Sequence, residues 1–291
     1  MKWQAIIQHI ESATGQPFKL TKAQPLSGGD INAAYRLQAE NLSFFVKLNS
    51  PNRLSMFEAE AAGLEALAQV QSVRVPGLIA CGQTSGHAFL VLEYIALNSL
   101  NTNSAQLLGQ QLARQHLIEQ PYFGWHRDNT IGSTVQVNGQ YHDWIKFWQE
   151  QRLGYQLKLA AAKGYGGRLQ ALGEKLCTNL EPLFSGYQPQ PALLHGDLWG
   201  GNAAADEQGN PVIFDPACYF GDRETDLAMT ELFGGFGSAF YQAYQAVYPL
   251  DSGYARRKTL YNLYHILNHL NLFGRSYLHQ AENMIEKILS D

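Results

Sequence analysis

The run His195-Gly-Asp-Leu-Trp-Gly-Gly-Asn202, followed by the apolar stretch Val212-Ile213-Phe214 that ends on Asp215, constrains this chain more than any other feature. It places an aspartate and an asparagine on one short loop and a second aspartate at the end of a strand, so two carboxylates and a carboxamide meet in one place. Moving a phosphoryl group onto an alcohol asks for little more from a protein than that. Negative charge spreads over the phosphoryl oxygens, and the chain supplies divalent cations and one positioned proton acceptor. In this layout Asp215 is a Mg²⁺ ligand, Asn202 a neutral oxygen donor to a second metal position, and Asp197 the base. Gly200 and Gly201 allow the tight turn that faces Asp197 and Asn202 into one cavity. His195 and Leu198 are expected to anchor the loop in the core. His-Gly-Asp alone is also ordinary loop chemistry, in which the aspartate caps a helix or closes a turn. The upstream half of a nucleotide site decides between the two.

That half is legible. Residues 26–36 read as a glycine turn between strands, and Ser43-Phe-Phe-Val-Lys-Leu48 is an aromatic and β-branched run with Lys47 embedded in it. A lysine inside an apolar strand needs an anion, because the ammonium is costly to bury unpaired. Residues 56–68 form a helix by propensity, with acidic side chains to offer. Glu60 shares a face with Leu64 and Leu67 and is the expected partner, with Glu58 as the alternative. A lysine snorkelling from a strand end is the competing reading. Gly28-Gly29 lacks a three-glycine fingerprint and by itself signals only a hairpin turn. Its place ahead of the Lys47 strand makes Gly28, Gly29 and Asp30 candidates to present backbone N–H groups to phosphates. Residues 89–95 read as a buried strand, after which a helix is expected over 105–119. Glu93, Tyr94 and Ile95 are candidates for backbone contacts to an adenine edge.

Together, Lys47, the acidic helix, the 195–202 loop and Phe214-Asp-Pro-Ala217 resemble the fructosamine kinase (ketosamine-3-kinase) family, within the aminoglycoside phosphotransferase and choline kinase-like group. The resemblance extends through Phe123-Gly124, Asn129-Thr-Ile-Gly132, residues 220–228, Leu232-Phe-Gly-Gly-Phe236 and residues 261–274. It implies an α+β, protein-kinase-like two-lobe fold. Residues 1–95 would be a small strand-rich N-lobe that binds nucleotide phosphates, and residues 96–291 a larger, mainly helical C-lobe holding the catalytic loop, metal and acceptor. It also implies ATP and Mg²⁺ as cofactors and phosphorylation of the 3-hydroxyl of a ketosamine, free or protein-bound, whose product sheds its sugar. Residue by residue, Asp197 carries over as base, Asn202 and Asp215 as metal ligands, Lys47 as the phosphate contact and Glu60 as its ion-pair partner. Asp215-Pro-Ala stands where protein kinases have Asp-Phe-Gly, so proline should lock the backbone there, and loop phosphorylation is not expected to regulate the chain. Where some members carry a cysteine in the glycine loop, this sequence has Asp30, which disfavours a redox-linked dimer.

Acceptor residues are less sharply marked. Trp199 sits in the catalytic loop, and His265, Asn268 and His269 share a helical face from which they could reach the cavity or simply satisfy one another. Asp226 is read as a strut for the loop backbone. The histidines lack a third ligand for zinc. With 291 residues and a net charge of −4, the chain can bury two lobes, and its dispersed Lys and Arg argue against nucleic acid. Three scattered cysteines suit a reducing cytoplasm. Trp3, Ile6, Ile7 and Ile10 form an amphipathic stripe, not a signal or an anchor, and a monomer away from membranes is expected. Residues 123–141 read as an irregular insertion shaping the acceptor pocket. The competing readings are a same-fold kinase for an aminoglycoside or choline-like alcohol, an inactive nucleotide-binding scaffold, and a metallophosphoesterase. The scaffold has no need of all four site residues, and the phosphoesterase lacks a Gly-Asn-His motif.

Overall fold

A computed structural model describes residues 3–27 and 31–290. The N-terminal part is a five-stranded antiparallel sheet built from β1 (Lys22–Leu26), β2 (Ala33–Gln38), β3 (Ser43–Asn49), β4 (Leu78–Gln83) and β5 (Ala88–Glu93), in the order β1-β2-β3-β5-β4. A helix covers each face. On one side α1 (Gln4–Thr14) buries Ile6 and Ile10 against Phe44, Val46, Leu48, Phe89 and Val91. On the other, α2 (Leu54–Val70) packs Phe57, Leu64 and Leu67 against Leu90 and Leu92. The two-residue period of a strand sorts these side chains. Phe44, Val46 and Leu48 face α1, so Lys47, paired across the ladder with Leu90, must face α2. Glu60 lies on the same stripe of α2 as Leu64 and Leu67, as the sequence indicates.

The core beneath α2 runs on into the C-terminal part. There α3 (Thr102–His116) is followed by a hairpin of β6 (Asn129–Ile131) and β7 (Thr134–Gln136), then α4 (Trp144–Phe147), a π-helical stretch over Trp148–Leu153, α5 (Gly154–Ala162) and α6 (Arg168–Cys177). Next come β8 (Pro191–Leu194), β9 (Ala203–Ala205), β10 (Pro211–Ile213) and β11 (Tyr219–Asp222). The chain ends in α7 (Glu224–Leu232), α8 (Ser238–Val247), α9 (Tyr254–Phe273) and α10 (Leu278–Ser290). β8 pairs with β11 and β9 with β10, which brings the 195–202 loop beside the segment that follows β10.

Two sequence expectations shift. The helix expected over 105–119 starts at Thr102, because Asn101 and Ser104 form a reciprocal capping box, and it stops at His116. The insertion at 123–141 is more ordered than its composition suggests. Phe123 and Tyr141 close it with paired backbone bonds, and the β6–β7 hairpin lies inside. Its strands are three residues long and carry Asn129, Thr130, Thr134 and Gln136, so no apolar alternation announces them. Among the described residues no helix is long and apolar enough to cross a membrane. Gly28, Gly29 and Asp30 lie outside the described residues.

Candidate active site

Strand β8 delivers His195 and Leu198 into the core with no exposed surface. Gly196 follows at φ +84°, and a Cβ there would lie 2.0 Å from the Ala217 carbonyl oxygen. Only glycine fits so close a crossing. Buried Asp226, at the start of α7, accepts the backbone N–H groups of His195 and Gly196, each at 2.8 Å. His116 Nε2 stands 3.3 Å from the same carboxylate. The strut expected at Asp226 is therefore present. His195 is held neutral by burial, which lowers its pKa. Its Nε2 lies 3.0 Å from the Phe214 carbonyl and its Nδ1 accepts from the Asp197 N–H, so the partners assign the proton to Nε2.

Asn202 donates its side-chain amide to the Asp197 carbonyl at 2.9 Å and to the Asp197 carboxylate at 3.3 Å. Its remaining amide oxygen is thereby left as the acceptor. The Asn202 carbonyl takes the N–H of Phe214, joining the loop to the end of β10. Asp215 comes next, at φ +57°. A left-handed backbone is uncommon for a non-glycine residue and is disfavoured further by the proline that follows. The flanks of Asp215 are tied down. Ala217 donates its N–H to the His195 carbonyl at 2.8 Å, Gln136 donates to the Ala217 carbonyl at 3.0 Å, and Asn129 to the Cys218 carbonyl at 2.7 Å. Tyr264 closes the set by donating to Gln136 Oε1 at 3.0 Å. The tethering roles of Asn129 and Gln136 carry no sequence signal beyond two buried amides in a hairpin that periodicity does not reveal.

Lys47 brings the two halves together. Its ammonium lies 2.7 Å from Glu60 and also contacts the Asp215 carboxylate. Burial pulls the lysine pKa down, but the two carboxylates outweigh it and hold the pKa above its ordinary value. For Glu60, burial pushes the carboxyl upward and the Lys47 ammonium pulls it back. Glu58, the alternative, instead contacts Arg127 of the insertion at 3.2 Å. Asp197 is pushed up to about 7 by burial and by the neighbouring Asp215 carboxylate, against the Asn202 amide. An aspartate at that level suits proton acceptance near neutrality.

Around β5 the Glu93 N–H is spent on the Gly77 carbonyl at 2.8 Å, and its carboxylate pairs with Arg74, which reaches on to Asp206 in the β9–β10 turn. Tyr94 lies beneath the Arg36 guanidinium at 4.0 Å, and Ile95 is half-buried. Of the residues expected to meet the acceptor, Trp199 is exposed with its indole folded over Gly201, where a Cβ would meet the ring at 2.3 Å. His265 is buried, and no hydrogen bond to it is formed among the described residues. Its pKa is lowered to about 3, first by burial and then by His269. Asn268 is committed to the insertion, donating to the Ile131 carbonyl and accepting from Gln156, each at 3.4 Å. His269 stacks on Phe233, 5.2 Å between ring centres. The three therefore do not satisfy one another.

A model of the fructosamine kinase family matches residues 2–291. The chain belongs to the fructosamine kinase family. A probable ketoamine kinase of Synechocystis is 48% identical over 288 residues, covering 99% of this chain and 97% of its own. A chloroplastic protein-ribulosamine 3-kinase of Arabidopsis thaliana is 44% identical over 278 residues, covering 94% and 85%. The crystal structure of a provisionally named fructosamine-3-kinase from Haemophilus somnus superposes with a TM-score of 0.90 at 33% identity, covering 99% and 97%. An ADP-bound aminoglycoside phosphotransferase, 15% identical with a TM-score of 0.65 over 98% of this chain and 97% of its own, shares the fold. This fructosamine kinase family member thus has the kinase-like architecture expected of it and is a phosphotransferase that uses ATP and an alcohol acceptor.

Proposed function

We propose that this chain transfers the γ-phosphoryl group of ATP to the 3-hydroxyl of a ketosamine of the fructosamine or ribulosamine type, yielding a labile product that sheds its sugar. The observation that carries the reading is the Lys47 ammonium set between Glu60 and Asp215, with Asp197 and Asn202 on the adjoining loop. In this reading residues 1–95 hold the nucleotide. Lys47 contacts the α- and β-phosphates, Glu60 keeps that ammonium aimed, backbone N–H groups of Gly28, Gly29 and Asp30 cover the phosphates, and the backbone at Glu93, Tyr94 and Ile95 meets the adenine. Residues 96–291 hold the acceptor, against Trp199, His265 and His269, with Asn268 fixing the helix that carries the two histidines.

Asp215 and Asn202 would hold Mg²⁺. Among the described residues no three His, Cys, Asp or Glu side chains gather to cage a metal. Such a sparse oxygen set fits Mg²⁺, which keeps waters and takes other ligands from substrate phosphates. When bound, the cation neutralises charge on the phosphates. Asp197 accepts the proton of the attacking hydroxyl, and Asn202 fixes the carboxylate through its amide. Enclosure between the two parts excludes water that would otherwise take the phosphoryl group. Three unpaired cysteines and the absence of a basic stripe support action in the cytoplasm without nucleic acid, and we take the working unit to be a monomer. Acceptor profiling with ATP tests the reading: fructosyl- or ribulosyl-lysine should be phosphorylated. Turnover of aminoglycosides or choline with no ketosamine turned over would overturn it.

A further inference from the structure

We propose that Arg152 is a positioning residue for phosphoryl transfer: its buried guanidinium clamps the end of the β6–β7 hairpin to the start of β11 and so fixes the backbone that presents Asp215. The inference rests on the reading above in which Asp215 holds Mg²⁺. Arg152 has no exposed surface, and a charged side chain is almost never buried so completely without a counter-charge. Arg257, similarly buried, has one in Glu224. Arg152 meets no carboxylate among the described residues. It donates instead to the Val137 carbonyl at 2.7 Å, the Asn138 carboxamide oxygen at 2.8 Å and the Gln151 carbonyl at 3.2 Å, and its Nε–H is buried without an acceptor. Tyr219, Phe147 and Tyr264 enclose it, with ring centres 4.1, 4.6 and 5.6 Å from the guanidinium carbon. Methionine would fill such a space without the cost of a buried charge. A planar fork of donors is needed where separate stretches of backbone must be held together.

The helix that carries Arg152 is shaped to deliver it. Trp148, Arg152 and Leu153 turn inward from the π-helical stretch, a geometry that is rare in proteins and frequent at functional sites. Gly154 closes the wider turn by donating to the Gln149 carbonyl, whose oxygen a Cβ at 154 would meet at 2.6 Å. What the fork holds lies on both sides of the Asp215 tethers. Val137 and Asn138 directly follow Gln136, which donates to the Ala217 carbonyl, and Tyr219 directly follows Cys218, whose carbonyl accepts from Asn129. Asn138 passes the grip along the insertion, donating its amide to the Arg127 carbonyl at 3.2 Å and its N–H to the Asp128 carboxylate at 2.8 Å. Holding both partners sets the distance across which the Gln136 and Asn129 bonds form. With the grip released, both amides remain but lose their fixed place, and Asp215, two residues before Ala217, loses its tether on the hairpin side.

The test reads amide hydrogen exchange over residues 214–220 in the nucleotide-free protein and the Mg²⁺ requirement of ATP binding by calorimetry, in the parent chain, Arg152→Met and Arg152→Lys. In Arg152→Met both should change roughly tenfold, faster exchange over 214–220 and more Mg²⁺ for half-maximal binding, the size of one hydrogen bond to a charged group. Exchange in β3 and β5 should stay at the parent rate, which reports that the sheet is intact. Arg152→Lys, with the charge but not the fork, should recover part of both losses. Asn138→Ala removes one acceptor and leaves the guanidinium among its rings. It should give the same local pattern at smaller size, and it decides the matter if Arg152→Met does not fold. Exchange that rises evenly along the chain, or a parent-like 214–220 segment with a parent-like Mg²⁺ requirement, overturns the clamp while leaving the ketosamine reading in place. ATP binding to the parent chain that ignores Mg²⁺ overturns the metal role of Asp215, and the clamp's part in catalysis with it.

Discussion

Asp226→Asn separates the positioning of the catalytic loop from its chemistry. The wild-type carboxylate accepts the N–H groups of His195 and Gly196, one on each oxygen, and stands beside His116. Asparagine has the same size but one acceptor oxygen, so one backbone N–H meets an amide donor instead. A hydrogen bond to a charged group contributes about 1.5–3 kcal/mol, and a buried donor left unpaired costs about 1–3 kcal/mol. The two together give a loss of about 3–5 kcal/mol, or on the order of 10 °C in Tm for a chain of this size. A loop displaced by about 1 Å would also lower kcat on the order of 10²-fold, although Asp226 touches no reactant. The effect should depend on pH. Burial pushes the Asp226 carboxyl upward, but the contact with His116 and the Gly196 N–H outweigh it and hold its pKa below the ordinary value. A depressed carboxylate stabilises fully above its unfolded value of about 3.9 and loses that contribution as pH falls through the folded value. The variant and parent should therefore differ most at neutral pH and converge in strong acid. Denaturant unfolding at neutral pH and in strong acid, with single-turnover kinetics at neutral pH, measures both. A variant with the parent's neutral-pH stability and turnover would refute the strut.

Asp197→Asn should lower kcat by about 10²-fold to 10⁴-fold while ATP binding persists, because proton transfer is lost and nucleotide contacts remain. In the parent chain kcat/KM should rise with pH through about 7, as the raised Asp197 carboxyl loses its proton, and that rise should be missing in the variant. Asp215→Ala should weaken Mg²⁺-dependent nucleotide binding, measured by calorimetry with and without the cation; equal metal dependence in the two chains would remove Asp215 as a ligand. Glu224→Gln breaks the buried bidentate pair with Arg257, whose contacts are 2.7 and 3.0 Å. Breaking such a pair costs about 3–5 kcal/mol, which denaturant unfolding should show as a lower midpoint.

How far the sequence could be read depended on whether a residue's role is written in its own neighbourhood. Lys47 was legible because a charge between Phe44-Phe45-Val46 and Leu48 demands a partner, and helical periodicity then preferred Glu60 to Glu58. The strand-terminal Asp215 and the loop holding Asp197 and Asn202 were legible from residue type and spacing. The Asp226 strut could be suspected but not weighed, since its donors lie some thirty residues away on the far side of β11. Asn129 and Gln136 were invisible as tethers, because both are polar residues in very short strands whose meaning comes only from the carbonyls they meet. The surroundings of Trp199 were half seen: Trp199 and His269 stood out, but Phe233, which lies between them, meets both rings only through the packing of the turn after α7 against α9.

The arrangement around Asp215 bears on how the cleft is held. A left-handed backbone at a non-glycine residue costs about 1–2 kcal/mol and persists only where its surroundings over-determine it. Here the neighbouring peptide groups are claimed by three different elements. Phe214 donates to Asn202 and accepts from His195, Ala217 donates to His195 and accepts from Gln136, and Cys218 accepts from Asn129. Pro216 removes a further rotation from the segment. Each of these bonds is worth only about 1 kcal/mol net, but moving the segment would break them together and leave buried carbonyls unpaired. A protein kinase can swing its metal-binding aspartate because the following residues are free to move. In this chain they are bonded to the catalytic loop on one side and to the β6–β7 hairpin on the other. Lys47, Glu60 and Asp215 are consequently held in one fixed alignment.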